Sequence, residues 1–311
     1  VGYNTYTTSD LTDDILLLGH FPTGNNTFTP AKLLRLATLE LQTPVMKQIM
    51  STRGGYYLGY TDYSDPNLVS SGLIPIPSDC VGGALSIVQL IQDTTIIPVN
   101  PIELSEQFST ISPTSTSYGY YPIGNYIQIL PKPIVGFARL WHIKRTSDLV
   151  LTTAAAQVTA VASNVISVSS VPSTFQVGTI LDACGDQPPF NILGTQTITG
   201  ISGTDITLDA AVTGLTIGDW LALEGQTPIP QIPVEFRILL AWRVVALAWE
   251  LQGYMEKAQA AQKRLAAYIE DTFGLITPRI SADTKIINPV NGGFLSGNPN
   301  RLTNFPAGRN S

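Results

Sequence analysis

Val158–Leu181 (VTAVASNVISVSSVPSTFQVGTIL) and Ile198–Leu221 (ITGISGTDITLDAAVTGLTIGDWL) align with each other without a gap. Thr159/Thr199, Ile166/Ile206, Gly178/Gly218 and Leu181/Leu221 are identical pairs, and Val161/Ile201, Val168/Leu208, Phe175/Leu215 and Val177/Ile217 are conservative ones. Each copy reads strand, polar turn, strand, loop, and then a Val-Gly or Ile-Gly corner into a third strand. Strands this short cannot bury a face alone, so the two copies are expected to pack together as a small barrel or sandwich. The repeat carries no titratable cluster. A duplicated β unit of that kind points to architecture and contact surface over chemistry.

Outward from the repeat, the 311 residues suffice for two or three domains. Only 13% are charged, against roughly 25% in an average globular protein. Thr, Ser, Asn, Gln, Gly and Pro replace the missing charge. The net charge of -6 argues against a nucleic-acid-binding module, because phosphate binding needs Lys and Arg clusters. No basic run exceeds Lys144-Arg145. The two cysteines, Cys80 and Cys184, form neither a disulfide framework nor a zinc pattern. No signal peptide and no membrane span are read from the apolar runs. Asn25-Asn26-Thr27 matches a glycosylation triplet without a secretory context to support it.

Residues 1–28 read as irregular. Thr29 as N-cap and Pro30 at the first helical position start a helix, and Thr43-Pro44 repeats the signal for a second one to about Ser51. From Tyr56 to Val150 the chain reads as antiparallel β, with strands expected at Tyr56–Tyr60, Ala84–Ile91, Tyr126–Leu130 and Phe137–Ile143. Residues 101–107 read as a helical turn and Ser109–Tyr121 as a loop. The linker around Pro188-Pro189 joins the two repeats. One long helix is expected over Val234–Phe273, apolar all round in its first half and amphipathic in its second, with Gly253 a weak point and Gly274 a C-cap. The expected class is α+β. It has a helical core with a long C-terminal helix, an antiparallel β region, and an inserted β domain over 151–224. The core takes 29–150 and 225–274, and 275–311 form an extended arm.

Chemistry is not legible. The histidines, His20 and His142, lack a triad partner at any informative spacing, and His142 alternates within FARLWHIKR as a strand residue. Asp13-Asp14 is the only adjacent carboxylate pair and reads as a helix start or solvated loop. No HExxH, GxSxG, Walker A, EF-hand or dinucleotide pattern occurs, and Gly82-Gly83 and Gly292-Gly293 read as isolated turns. No catalytic, cofactor-binding or metal residue is nominated, and no enzyme is expected. Tyrosines gather at 56, 57, 60 and 63 and at 118, 120, 121 and 126. They fit a sheet face or subunit interface better than a base-stacking platform, since basic neighbours are missing.

The order of elements resembles the head-to-tail adaptor (connector) proteins of tailed bacteriophages. The resemblance rests on LLRLATLELQTPVMKQIMSTRGGYYL, LIPIPSDCVGGALSIVQL, GNYIQILPKP followed by ARLWHIKRTSDLV, and TPIPQIPVEFRILLAWRVVALAWEL. These are packing patterns spread over residues 30–273. The chain departs from the family at Arg145-Thr146-Ser147, where a proline is expected. The resemblance implies a homo-oligomeric ring, commonly of twelve, in the virion neck. It would be made in the host cytoplasm. It would bind the portal through the C-terminal arm and a tail or nozzle protein below, with double-stranded DNA passing through the lumen without specific binding. The alternatives are another virion component (tail, baseplate or capsid decoration) or a carbohydrate-binding module using the Tyr-rich loops.

Overall fold

A computed structural model describes residues 6–21, 27–103, 118–133, 136–185 and 192–276. The glycosylation triplet's asparagines, most of the 101–107 and 109–121 segments, the Pro188-Pro189 linker, Gly292-Gly293 and the arm beyond residue 276 lie outside them.

The described chain is mostly β, with fifteen strands against six α-helices. This overturns the expectation of a helical core with a long C-terminal helix. The expected long helix is two helices, α5 (Arg237–Leu251) and α6 (Met255–Ile276), the first led in by a 3-10 turn at Val234–Phe236. Gly253 is the reason. It adopts φ +78, a left-handed conformation that costs a residue with a Cβ roughly 1–2 kcal/mol. The Gly253 N–H donates to Glu250 O (2.9 Å) and the Tyr254 N–H to Trp249 O (3.0 Å). These are the two bonds of a Schellman stop. The hydrophobic contact that accompanies such a stop is present too, with the Trp249 and Tyr254 rings 5.3 Å apart. The chain therefore turns back on itself. Lys257 Nζ sits over Trp249 and Arg264 over Trp242, and the Tyr268 hydroxyl reaches Glu235 O. α6 buries Ala258, Ala261 and Leu265 against α5, while Met255 is exposed. It also runs past Gly274 instead of stopping there.

Helices at the amino end complete this layer. The irregular reading of residues 1–28 is corrected by α1 (Thr8–Gly19), whose N-cap Thr7 and Asp10 form a capping box. Leu11 and Ile15, one helical turn apart, are fully buried. α2 (Pro30–Glu40) begins at Thr29 and Pro30 as expected. Pro44 does not split it from α3 (Met46–Thr52). A π turn over Leu41–Val45 absorbs the proline without ending the helical path. Phe21 and Phe28 stack, and Trp249 packs tilted and edge-on against them, where the two halves of the layer meet. Phe236, fully buried, anchors the start of α5.

A seven-stranded sheet comprises β1 (Leu58–Tyr63), β2 (Leu73–Pro75), β3 (Cys80–Gln92), β4 (Thr95–Pro101), β5 (Tyr118–Ile123), β6 (Tyr126–Leu130) and β7 (Phe137–Lys144), in the order β1-β7-β3-β4-β5-β6-β2. α4 (Pro66–Ser71) follows β1. The sheet is mixed rather than antiparallel, because β4 and β5 run parallel. β4 was hidden by its prolines. Pro98 precedes the stretch that β5 covers, so its missing N–H leaves no gap in that pairing. Val88, Leu90, Val99, Ile127, Ile129, Ala138 and Leu140 form the buried face.

The duplicated unit forms a closed six-stranded barrel: β9 (Ala156–Ala162), β10 (Val165–Val168), β11 (Ile180–Cys184), β12 (Ile192–Ser202), β13 (Asp205–Leu208) and β14 (Trp220–Leu223), in the order β10-β13-β12-β11-β14-β9. The repeats meet about a pseudo-two-fold axis. Repeat-equivalent Ile166 and Ile206 pair across β10 and β13, and equivalent Asp182 and Ala222 across β11 and β14. Each third strand pairs with the other repeat's first strand, β11 with β12 and β14 with β9. Neither half closes without the other. The corner bonds match as well: Gly178 N donates to Ile198 O, and Gly218 N to Val158 O.

The chain reaches the barrel through β8 (Asp148–Leu149) and leaves it through β15 (Gln226–Thr227), which pair in parallel. Ile166 and Ile206 are both fully buried in the barrel core. Pseudosymmetry predicts that Ile166→Ala and Ile206→Ala cost about the same, each roughly 2–5 kcal/mol by urea denaturation. A large asymmetry between the two midpoints would mean that the halves do not share one cooperative core.

Candidate functional site

A cavity of about 920 Å³ opens where sheet, helical layer and barrel converge. Tyr56, Tyr57, Leu58 and Gly59 line it from the start of β1, Lys144 to Asp148 from the end of β7, and Ile192, Gly194 and Thr195 from β12. Asp182, Glu224, Gly225 and Gln231 close the barrel side. Local bonds fix these walls. Asp182 is 2% exposed and accepts from Thr195 Oγ1 (2.6 Å) and Gly225 N (2.7 Å). Gln42 Nε2 donates to Thr146 O (3.0 Å) and Asp148 Oδ1 (2.8 Å). Tyr57 donates to Gln231 O (2.8 Å), and burial pushes its phenol well above the ordinary tyrosine range. Two lining hydroxyls, Tyr56 OH and Thr146 Oγ1, are buried with no hydrogen-bond partner among the described residues. Burial raises the Tyr56 phenol to about 12, so it stays a donor at neutral pH.

The cleft is polar and carries both signs. Lys144 and Arg145, the basic pair noted in the sequence, face it with Asp79, Asp148, Asp182 and Glu224. Sequence reasoning missed the site because its walls lie up to 189 residues apart, from Gln42 to Gln231. Only Lys144-Arg145 left a local signal.

The structure does not bring the remaining titratable candidates together. His142 is fully buried in β7, with Nε2 2.9 Å from Asp79 Oδ1 and Nδ1 3.2 Å from Leu140 O. His20 caps α1 in a left-handed conformation. Asp13 and Asp14 lie on α1, where Asp14 accepts the Tyr6 hydroxyl (2.6 Å). Cys80 and Cys184 are both buried and form no disulfide; the Cys184 thiol lies 3.6 Å from Gln226 O, and burial pushes it up to about 12. Among the described residues no group of three or more His, Cys, Asp or Glu side chains is placed to hold a metal ion.

The tyrosines divide. Tyr118 and Tyr120 pack against the sheet core and Tyr121 is buried, so they form no joint platform with exposed Tyr126. Tyr60 joins a different group on the opposite sheet face. Its ring lies 4.9 Å from Trp141 and under the Arg139 guanidinium (4.1 Å), which makes a two-bond pair with Asp62. Leu58, Ile87 and Ile96 are exposed there as well, so β1, β7, β3 and β4 carry exposed apolar and aromatic side chains on this face.

No protein-family model matches the chain, and no curated protein matches it. No described helix is long and apolar enough to cross a membrane.

Two predictions follow from the buried polar groups. Thr38 Oγ1 of α2 accepts the N–H of Leu149 in β8 (3.0 Å). Thr38→Val orphans that buried donor and is expected to cost about 1–3 kcal/mol, read as a lower denaturant midpoint at unchanged slope. The raised thiol and phenols make the second. Cys184 and Tyr56 hold their protons to about pH 12 in the fold, whereas the unfolded chain releases them near 9.0 and 10.0. The folded state thus binds more protons between these values, so stability is full below about pH 9 and falls from there towards 12. Thermal midpoints between pH 7 and 11 check this, and a flat profile would contradict it.

Proposed function

We propose that the chain is a structural subunit of a tailed-bacteriophage virion, a head-to-tail adaptor that assembles as a ring between portal and tail. The observation that carries the reading is the distribution of exposed apolar side chains. Leu58, Tyr60, Ile87 and Ile96 lie on the open sheet face, Val177 and Ile217 at the two barrel corners, and Leu251, Tyr254 and Met255 at the turn of the α5–α6 hairpin. Exposed large apolar side chains on several elements suit protein contacts. Closing a ring needs two different patches per subunit, because head-to-tail contacts are heterologous. Three patches on separate elements meet that need and leave one for a partner above or below. The low charge content supports contact surfaces of this kind, and the sequence passages spread over residues 30–273 support the adaptor family in particular.

In this reading the portal, a tail protein and passing DNA are the partners. The neck of the virion is the location, and no catalysis is involved. The test is assembly. The purified full chain, mixed with the portal protein of its own phage, is expected to form rings that stack coaxially on the portal in negative-stain images. Light scattering should give a ring mass for the complex. A chain that stays monomeric at tens of micromolar and never co-sediments with the portal would overturn the adaptor reading. Binding to capsid faces or to tail tips would transfer it to another virion role.

A further inference from the structure

The polar cleft has the features of a site for an extended polypeptide. β1 is the terminal strand of its sheet, pairing with β7 alone among the described residues, and its Leu58 and Gly59 floor the cleft. Facing them, Ile192 to Thr195 belong to the first half of β12. That half pairs with β11, whereas β13 covers β12 only from Ile198 onward. Two strand edges thus border one cavity, and an open edge is a template for a further strand. The exposed side chains of Lys144 and Arg145 supply donors for backbone carbonyls, and the exposed carboxylates of Asp148 and Glu224 supply acceptors. A peptide backbone offers both kinds of group in alternation.

Charge and position select the occupant. The cleft lining carries Lys144 and Arg145 against Asp79, Asp148, Asp182 and Glu224. Residues 277–311 carry Arg279, Lys285, Arg301 and Arg309 against Asp283 alone. α6 passes near one wall of the cleft. Tyr268 of α6 bonds to Glu235 O, Glu235 pairs with Arg53 (3.2 Å), and its charge acts on Tyr56, a lining residue. The helix ends at Ile276, eight residues beyond Tyr268 and about 12 Å further along the axis. Thirty-five residues then remain, with a reach of up to about 115 Å when extended.

We propose that part of residues 277–311 docks in this cleft of its own chain as an added strand, its basic side chains set against Glu224, Asp148 and Asp79. Attachment to the same chain raises the effective concentration to the millimolar range for short flexible linkers, so a modest fit suffices. The proposal does not rest on the virion reading and holds for the free subunit.

The test uses the full chain as a monomer. Zero-length carboxylate–amine coupling, followed by peptide mass spectrometry, is expected to join Lys285 to Glu224, Asp148 or Asp79. In a mixture of isotopically light and heavy chains those products should be light–light or heavy–heavy only. Hydrogen exchange of the peptides covering 58–63 and 192–196 is expected to speed up about 10-fold in the Arg279→Glu, Lys285→Glu variant, as for local opening of a docked segment. Adding Glu224→Arg to that variant should restore much of the protection, which a merely structural role of these surface residues would not do. Exchange at both edges that is unchanged by the tail substitutions, or couplings found only between differently labelled chains, would overturn the proposal.

Discussion

The parallel pair β8–β15 is the joint on which the rest of the molecule hangs. It is only two residues long on each side, yet every part of the fold is tied to it. Asp148 N donates to Gly225 O and Val150 N to Thr227 O. Between these bonds the Leu149 N–H turns the other way and is taken by Thr38 of α2. Thr8 caps the arrangement from α1, its N–H on Pro228 O and its hydroxyl on Val150 O. Gln231 adds two more ties, accepting from Ser147 N on its side chain and from Tyr57 OH on its carbonyl. A parallel pair of this length has little stability of its own. It persists because its outward-facing polar groups are satisfied by helices, sheet and barrel together, and each would otherwise be left buried and unpaired.

That joint also makes the cleft. Three separately packed apolar clusters, in the helical layer, the sheet and the barrel, converge on a connector too short and too polar to fill the space between them. The gap is lined by strand ends and turn residues, so it is rich in hydroxyls, carboxylates and free backbone and poor in hydrophobic side chains. Such a site favours an extended backbone over a small apolar ligand. The sheet face, barrel corners and hairpin turn are of the opposite kind. They are apolar and outward-facing, which suits contact with other proteins.

Legibility in the sequence followed the range of the forces involved. The capping pair at Thr29 and Pro30, the strand Tyr126–Leu130 and the three-strand rhythm of the repeat were readable, because each depends on neighbours within a few residues. α1 was readable in principle from Leu11 and Ile15 and from the Thr7–Asp10 box, but its Thr and Asp content masked the periodicity. β4 and β5 were missed because their prolines and glycines argue for loops unless the partner strands are known. The long helix failed at one residue. Gly253 reads as a weak point, but a glycine within a helix costs only ~1 kcal/mol relative to alanine. What turned it into a stop was the pairing of Trp249 with Tyr254 and the packing of α6 back along α5.

The sequence by itself determined the local elements and the existence of two equivalent halves in the barrel, since hydrophobic period, caps and internal identity are properties of short stretches. It also determined that charge is scarce and that no known catalytic pattern is present. Only the tertiary structure decided that the halves exchange their third strands and that β1 is left as an open edge. It alone placed Lys144, Asp182, Glu224 and Tyr56 around one cavity. Those outcomes depend on which distant segments bury one another's apolar faces. A pattern read along the chain carries no term for that choice, because the energy that makes it comes from contacts between residues far apart in sequence.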